Sequence, residues 1–241
     1  MKREKEMIMP RQGKNTVAML LLMGGKSSRM GADKAQLLFD AQPFWKKIAE
    51  ELSLCGKVYL SVNQTCDSAA LEGYPYIRDA VPDCGVMGGL YSAFRAIGED
   101  LIFVCACDMP FMDHRFVRWM LNRWEEEAQK GARWDGIVIY EENGRTCPTA
   151  ALYHRRLQGK LEENVREKRL RMHTFVREET NMLLLPMQEV LSFHRCFLNI
   201  NTPDEYRQLV AGDDFHPGSW DGHFPRENLP CVLWKCPSSL R

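Results

Sequence analysis

The residues best suited to chemistry lie in a glycine-rich turn, Gly24 to Lys34 (GGKSSRMGADK), which directly follows a short apolar run. Two adjacent glycines, Gly24 and Gly25, let the backbone approach a phosphate chain without a Cβ in the way, and their N–H groups can point at its oxygens. Arg29 and Lys34 add fixed positive charge to the same turn. The turn therefore predicts a site for a ligand that carries phosphate.

Two common phosphate-binding loops are excluded by the spacing of these glycines. A Walker A loop needs a glycine five positions before Gly25, and that position is Leu20. A Rossmann fingerprint needs the spacing G-x-G-x-x-G, whereas the glycines here stand at 24, 25 and 31. A turn that only joins a strand to a helix is the remaining alternative, but it does not explain why Arg29 and Lys34 share the loop with Gly31.

An aspartate and two asparagines are candidates for binding a metal ion. Asp108 ends a buried, strand-like run, and a carboxylate there can hold Mg²⁺ that bridges phosphate oxygens. The alternative is that Asp108 caps the helix that follows. Asn199 and Asn201 alternate as the chain leaves a strand, so both could offer carbonyl oxygens to a metal or phosphate group. We expect Asp108 and Asn201 as metal ligands, and a capping box that begins at Thr202.

An acidic turn and a second glycine cluster form another candidate site. Asp79 could accept hydrogen bonds from a base or ribose, although by itself it is an ordinary acidic turn. The glycines of the following segment, which ends at Gly89, allow a helix N-terminus to pack closely against it. The six histidines show no i, i+4 pairing and no serine lies in a G-x-S-x-G elbow, so hydrolase and zinc-protease functions have no support.

The elements that must position these residues alternate between strand and helix. Short apolar runs bounded by turn residues predict strands, and apolar residues at spacings of three and four predict helices. Strands are predicted at 16–23, 58–62, 74–77, 101–105, 136–140, 149–153 and 182–185, and helical segments at 44–54, 87–97, 116–129, 157–178 and 204–210. This alternation predicts an α/β fold of three layers, α/β/α, with a mostly parallel, Rossmann-like central sheet.

Composition limits the partners and the setting. Lys and Arg balance Asp and Glu at 32 each, so no overall charge draws the protein to nucleic acid or to a membrane surface. No apolar run approaches the length of a membrane span. Most of the nine cysteines lie in apolar runs, which favours reduced thiols and a cytoplasmic protein. We expect a disordered tail at 1–15, a nucleotide-handling domain at 16–211, and a C-terminal tail of unknown role at 212–241.

The segment from Leu22 to Lys34 closely resembles the signature loop of the molybdenum cofactor guanylyltransferases, the MobA family of nucleotide-diphospho-sugar-transferase-like proteins. Later segments match the motifs of that family in the same order, over about residues 16–210. They are Pro43 to Trp45, Ser61 to Asn63, Asp79 with Gly85 to Gly89, Cys107 to Pro110, Pro148 to Leu152 and Asn199 to Pro203. The sequence is thereby identified as a member of a nucleotidyltransferase family.

This resemblance implies a set of site residues and a reaction. The nucleotide-binding residues would be Leu22, Met23, Gly24, Gly25, Lys34, Ser61, Asn63, Asp79, Gly89 and Asp108, and Mg²⁺ bound by Asp108 would be the cofactor. Arg29, Lys34 and Asp108 would be the catalytic residues. The phosphate of molybdopterin would attack the α-phosphate of GTP and expel pyrophosphate, so GTP and molybdopterin are the implied substrates. Proteins that deliver molybdopterin or mature molybdoenzymes are the implied partners.

Two other functions stay open at this point. A related transferase that uses CTP, or another nucleotide pyrophosphorylase, would share the fold, although the double glycine at 24–25 favours the guanylyl branch. A non-catalytic nucleotide-binding regulator is the second alternative. The presence of both Lys34 and Asp108 argues against it.

Overall fold

A twisted β-sheet forms the centre of the protein in a computed structural model that describes residues 15–24, 37–66 and 71–211. The strands, in chain order, are β1 (Val17–Leu22), β2 (Leu38–Phe39), β3 (Gln42–Pro43), β4 (Lys57–Val62), β5 (Tyr76–Arg78), β6 (Leu101–Ala106), β7 (Gly136–Tyr140), β8 (Ala150–His154) and β9 (Met182–Pro186). Strands β2 and β3 form a separate small hairpin, and the other seven form one sheet.

The order of strands in the sheet is β5-β4-β1-β6-β8-β7-β9. Every neighbouring pair is parallel except the two pairs made by β8, which runs antiparallel to both β6 and β7. The mostly parallel sheet predicted from the sequence is therefore confirmed. The direction of β8 was not predicted, because an apolar run has the same pattern whichever way the strand points.

Helices cover both faces of the sheet. They are α1 (Phe44–Ser53), α2 (Gly85–Ala96), α3 (His114–Gln129), α4 (Gln158–Arg166), the short α5 (Met172–Thr174) and α6 (Pro203–Ala211). Side chains alternate along β1, so Met19 and Leu21 pack with α1 and α3, whereas Ala18 and Leu20 pack with α2 and α4. The predicted three-layer α/β/α architecture is confirmed.

The predicted helical stretch at 157–178 is wrong as a single element. Helix α4 ends at Arg166, and Lys168 then adopts a positive φ of 59° that a continuing helix does not allow. The break is held by Asn164, which is 1% exposed: its backbone oxygen accepts from the Arg169 N–H and its side-chain oxygen accepts from Arg169 Nε. The chain resumes as α5 and then as a π-helix at Phe175–Glu179.

Two further elements were not predicted. The β2–β3 hairpin and a 3₁₀ segment at Met187–Phe197 both lack a clear period of two or 3.6. The hairpin packs with α6 in a small cluster around Phe44, Ile200 and Leu209. The remaining predicted strands and helices are present, with ends that differ by a few residues.

The described cysteines are all free thiols, as the sequence predicted. Cys105 and Cys107 both belong to the core on the α1 and α3 face. No helix within the described ranges has both the length and the apolar character to cross a membrane. The predicted tail at 212–241 and nearly all of that at 1–15 lie outside those ranges, so the domain limits stay a prediction.

Candidate active site

The candidate residues gather where the connections of the sheet change direction. From β1 the chain passes to β4 on one side, and β6 lies on the other side of β1. In open α/β sheets, ligands bind at the carboxyl ends of the strands at such a switch point. The Met23 N–H donates to the Ser61 oxygen at 2.9 Å, and the Cys107 N–H donates to the Leu22 oxygen at 3.0 Å. Gly24 therefore leaves the sheet between the ends of β4 and β6.

Four predicted residues form one contact cluster beside that point. The Ser61 hydroxyl, on a residue that is 4% exposed, donates to Asp79 Oδ1 at 3.3 Å. A Cβ added to Gly89 would stand 2.8 Å from Ser61 Oγ and 2.9 Å from Leu22 Cδ2. The absence of a side chain at Gly89 thus lets α2 lie directly against the ends of β1 and β4. The sequence predicted close packing of these glycines against Asp79, and the contacts of Gly89 are instead with Ser61 and Leu22.

The electrostatics of this cluster depend on Asp79. Burial raises the pKa of the Asp79 carboxyl above its usual value, and the hydrogen bond from Ser61 opposes that shift. Asp79 stays where it is because its own N–H donates to the Val62 oxygen at 3.0 Å, while the Ala80 N–H donates to Ser92 Oγ at 2.8 Å. The carboxylate is a half-buried hydrogen-bond acceptor on a fixed backbone.

The loop after β4 places Asn63 next to this cluster. Asn63 Oδ1 accepts from the backbone N–H and from the hydroxyl of Thr65, both at 3.1 Å, so the side-chain oxygen closes an Asx turn. The Arg78 guanidinium holds the same loop by donating to the oxygens of Asn63 at 3.2 Å, Gln64 at 3.1 Å and Cys66 at 3.1 Å. Sequence reasoning missed Arg78, which has no motif and acts only through these contacts.

A backbone hydrogen bond joins the two segments that carry the predicted metal ligands Asp108 and Asn201. The Ile200 N–H donates to the backbone oxygen of Asp108 at 2.9 Å, which sets Asn199 and Asn201 on either side of that bond. The Asn199 side-chain oxygen is buried and finds no hydrogen-bond partner within the part of the chain that the structure describes. Asp108 supplies a carboxylate and the two asparagines supply amide oxygens, and oxygen atoms of this kind are the ligands of Mg²⁺. The residue types present therefore fit the predicted cofactor.

The alternative function of Asp108 as a helix cap is wrong. Helix α3 begins at His114, and its cap is Asp113, whose Oδ1 accepts from the Arg115 N–H at 2.7 Å. The predicted capping box of the last helix is confirmed. The Glu205 N–H donates to Thr202 Oγ1 at 3.2 Å, and Glu205 Oε2 accepts from the Thr202 N–H at 3.0 Å.

A second group of potential metal ligands was not predicted. Glu51, Asp113 and His114 bring their ligand atoms within 4.8 Å of one another, and such a group could hold a metal ion. Their hydrogen bonds explain the arrangement without one. Glu51 Oε2 lies 2.7 Å from His114 Nδ1 and accepts from its backbone N–H, and Asp113 is occupied as the helix cap. The adjacent Asp113 and His114 are visible in the sequence, but only the fold brings Glu51 to them.

Three predicted residues, Gly25, Arg29 and Lys34, lie outside the described residues, so their roles stay predictions. The fold and the positions of the other candidate residues define a class of protein. It is a three-layer α/β protein whose candidate ligand residues meet at the switch point of a mostly parallel sheet, as in nucleotide-binding α/β folds.

Comparison with known proteins gives the family. The model of the family described as "MobA-like NTP transferase domain" matches residues 19–181. The chain therefore belongs to this family of nucleotidyltransferases. Two relatives are named "probable molybdenum cofactor guanylyltransferase". The one from Flavobacterium johnsoniae is 26% identical over 80% of this chain and 96% of its own length. The one from Methanothermobacter thermautotrophicus is 28% identical over 78% of this chain and 95% of its own.

Solved structures show the same fold. Molybdopterin-guanine dinucleotide biosynthesis protein A from Archaeoglobus fulgidus superposes with a TM-score of 0.69 at 20% sequence identity, over 80% of this chain and 97% of that one. A cytidylyltransferase from Leptospira borgpetersenii superposes with a TM-score of 0.53 at 15% identity, over 71% of this chain and 75% of that one. At these identities the likeness concerns the fold alone.

Proposed function

We propose that this protein transfers GMP from GTP to molybdenum-molybdopterin, which gives molybdopterin guanine dinucleotide and pyrophosphate. The observation that carries the proposal is the meeting of Leu22, Ser61, Asp79 and Gly89 in one contact cluster, with Asp108 just after β6, the strand beside β1. The family and the names of its relatives support the choice of reaction.

The cluster around Ser61 would hold the nucleoside. The Asp79 carboxylate is a hydrogen-bond acceptor, and both a ribose hydroxyl and the N–H groups of guanine can donate to it. Gly24 follows β1 without a side chain, so the triphosphate could pass close to the backbone on its way toward Asp108. Met23 and Asn63 lie at the two strand ends that flank this path.

Asp108 and Asn201 would hold Mg²⁺, with the buried Asn199 oxygen beside them. When bound, such an ion offsets the negative charge of the phosphates. Arg29 and Lys34 would add positive charge in the loop after β1. In the reaction, an acceptor phosphate oxygen forms a bond to the α-phosphorus of GTP, and the bond from that phosphorus to the bridging oxygen breaks. Pyrophosphate leaves with the electron pair.

This chemistry asks little of a general base, because the attacking phosphate is already ionised near neutral pH. The protein's contribution is to orient two charged substrates and to stabilise the charge of the leaving group. We also propose the cytoplasm as the setting, supported by the free thiols. Proteins that deliver molybdopterin or receive the product would be its partners.

The test is pyrophosphate release from GTP, CTP and ATP in separate assays, each with Mg²⁺ and with or without molybdopterin. We expect release from GTP that requires molybdopterin. Equal or faster release from CTP would reject the guanylyl assignment in favour of a cytidylyltransferase. Nucleotide binding without release from any of the three would favour a regulator.

A pair of variants tests the role of Asp108. Asp108→Asn should abolish turnover while thermal unfolding stays as in the unmodified protein. Asp40→Asn makes the same chemical change at an exposed residue of the β2–β3 turn, and it should leave turnover unchanged. An active, Mg²⁺-dependent Asp108→Asn protein would remove Asp108 from the site.

A further inference from the structure

A group of basic side chains lies at the carboxyl end of β7, on a part of the sheet edge that the nucleotide residues do not use. Arg145 belongs to the loop that joins β7 to β8, and His173 and Arg177 belong to α5 and the π-helix after it. His173 Nδ1 is hydrogen-bonded to Thr146 Oγ1 at 2.6 Å, and Arg177 Nη1 donates to the Gly144 oxygen at 2.5 Å. These two bonds hold the loop and the helical segment together.

The two arginines of this group lack acidic partners. Neither Arg145 nor Arg177 forms an ion pair anywhere in residues 15–24, 37–66 and 71–211, and the Arg145 side chain makes no hydrogen bond there. By contrast, Arg169, which precedes α5, is paired with Glu163, Glu167 and Glu179. Arg145 and Arg177 therefore differ from Arg169 in having no carboxylate within ion-pair distance among the described residues.

The acidic side chains near the loop form hydrogen bonds with neutral amides and not with these arginines. Glu141 accepts from Asn143 Nδ2 at 3.1 Å, and Glu142 accepts from Gln188 Nε2 at 2.7 Å. Burial lowers the pKa of His173, the charges of Arg145 and Arg177 lower it further, and Glu141 opposes them. Arg145 and Arg177 thus hold positive charge beside a histidine whose protonated form they disfavour. An arrangement of this kind suits the binding of an anion, which would balance the two charges.

The position of this group relative to Asp108 indicates which anion. Strand β8 lies between β6 and β7, with Ala150 paired to Cys105, so the β7 end is two strand spacings, roughly 10 Å, from the β6 end. The nucleoside cluster lies on the other side of β6, at the ends of β1, β4 and β5. A second substrate whose phosphate reacts near Asp108 therefore has its remaining part over β8 and β7.

We propose that Arg145, His173 and Arg177 bind an anionic group of the acceptor substrate, away from the phosphate that reacts. This inference rests on the proposed function and names the part of the acceptor that the loop after β7 recognises. Guanidinium groups bind oxyanions through paired, charge-assisted hydrogen bonds, and an imidazole can donate a further one. The acceptor is thus held at both ends, which fixes the line of attack.

The experiment measures KM for each substrate and kcat in Arg145→Gln, Arg177→Gln and the double variant. The acceptor KM should rise roughly tenfold for each arginine, as for the loss of one charge-assisted hydrogen bond. The KM for GTP should stay unchanged, and so should GTP binding measured by calorimetry without acceptor. Arg133→Gln is the matched control, because it removes the same charge from an exposed residue at the amino end of β7.

The outcomes separate the two proposals. If the unmodified protein transfers GMP and the variants keep its acceptor KM, the binding site after β7 is rejected and the proposed function stands. If Arg133→Gln raises the acceptor KM as much as Arg145→Gln does, general charge explains the effect and the site is also rejected. If the unmodified protein transfers no GMP at all, the function fails and this inference fails with it. If Arg177→Gln disturbs the fold, the acceptor KM of Arg145→Gln is used by itself to accept or reject the site.

Discussion

Replacing Gly89 with alanine tests whether the contact cluster at the ends of β1 and β4 holds the nucleotide. The added Cβ would stand 2.8 Å from Ser61 Oγ and 2.9 Å from Leu22 Cδ2, where ordinary contacts begin near 3.4 Å. The hydroxyl must therefore move by several tenths of an ångström or rotate. Its bond to Asp79 is already 3.3 Å long, so either response breaks it.

The expected size follows from the nucleotide contact that Asp79 would make. With Ser61 displaced, Asp79 is no longer held to accept from the nucleoside, and a hydrogen bond to a charged group contributes about 1.5–3 kcal/mol, so GTP affinity should fall by at least about tenfold. Stability should change much less, because alanine in place of a helical glycine gains up to about 1 kcal/mol and offsets the crowding. The predicted result is a protein that is folded and binds GTP weakly.

Calorimetric titration with GTP and Mg²⁺, together with thermal unfolding, measures both quantities. Gly159→Ala is the control, since Gly159 also lies in a helix but a Cβ there meets nothing within 4 Å. In a Ser61→Ala background the further effect of Gly89→Ala should shrink, because the displaced hydroxyl is absent. GTP affinity in Gly89→Ala equal to that of the unmodified protein would refute the reasoning.

Three other predictions concern the site and the sheet. Since the Asp79 pKa is raised, protonation of Asp79 should raise the KM for GTP as pH falls, beginning at a higher pH than for an ordinary aspartate. The Asp79→Asn variant should lack this rise. The same dependence of KM on pH in the variant and in the unmodified protein would contradict the prediction. Arg78→Lys should raise the KM for GTP several-fold with kcat unchanged, because one ammonium cannot hold three loop oxygens as the guanidinium does. An unchanged KM for GTP, or a fall in kcat alone, would count against it. Gly136→Ala should lower the free energy of unfolding by more than about 3 kcal/mol in urea titrations, since its Cβ would stand 2.0 Å from the Leu152 oxygen of β8; a loss below about 1 kcal/mol would contradict this.

Local patterns allowed the sequence to predict most of the elements. The apolar run of β1 is buried on both faces because helices cover both sides, and that burial is visible as an unbroken hydrophobic segment. The capping box from Thr202 to Glu205 depends only on side chains three residues apart. The interruption after Arg166 was missed because it depends on Asn164, whose two bonds to Arg169 leave no mark in the hydrophobic period.

The candidate site was predictable in part. Asp79, Asp108 and the glycines stand at ends of predicted strands, and parallel strands bring their carboxyl ends to one edge. Arg78 could not be predicted, since its function is to hold three backbone oxygens of another loop. The group formed by Arg145, His173 and Arg177 was also beyond the sequence, because its members are up to 32 positions apart and meet only when the π-helix packs on the loop after β7.

The order of the amino acids was enough to predict most of the strands and helices and the residue types that could meet a phosphate, because these depend on neighbours within a few positions. Only the tertiary structure decided that β8 runs antiparallel, that Gly89 touches Ser61 and Leu22, and that Asn199 and Asn201 flank a bond to Asp108. Such contacts join residues up to about ninety positions apart. Strand order and packing set them, and neither is encoded in any short stretch of the chain.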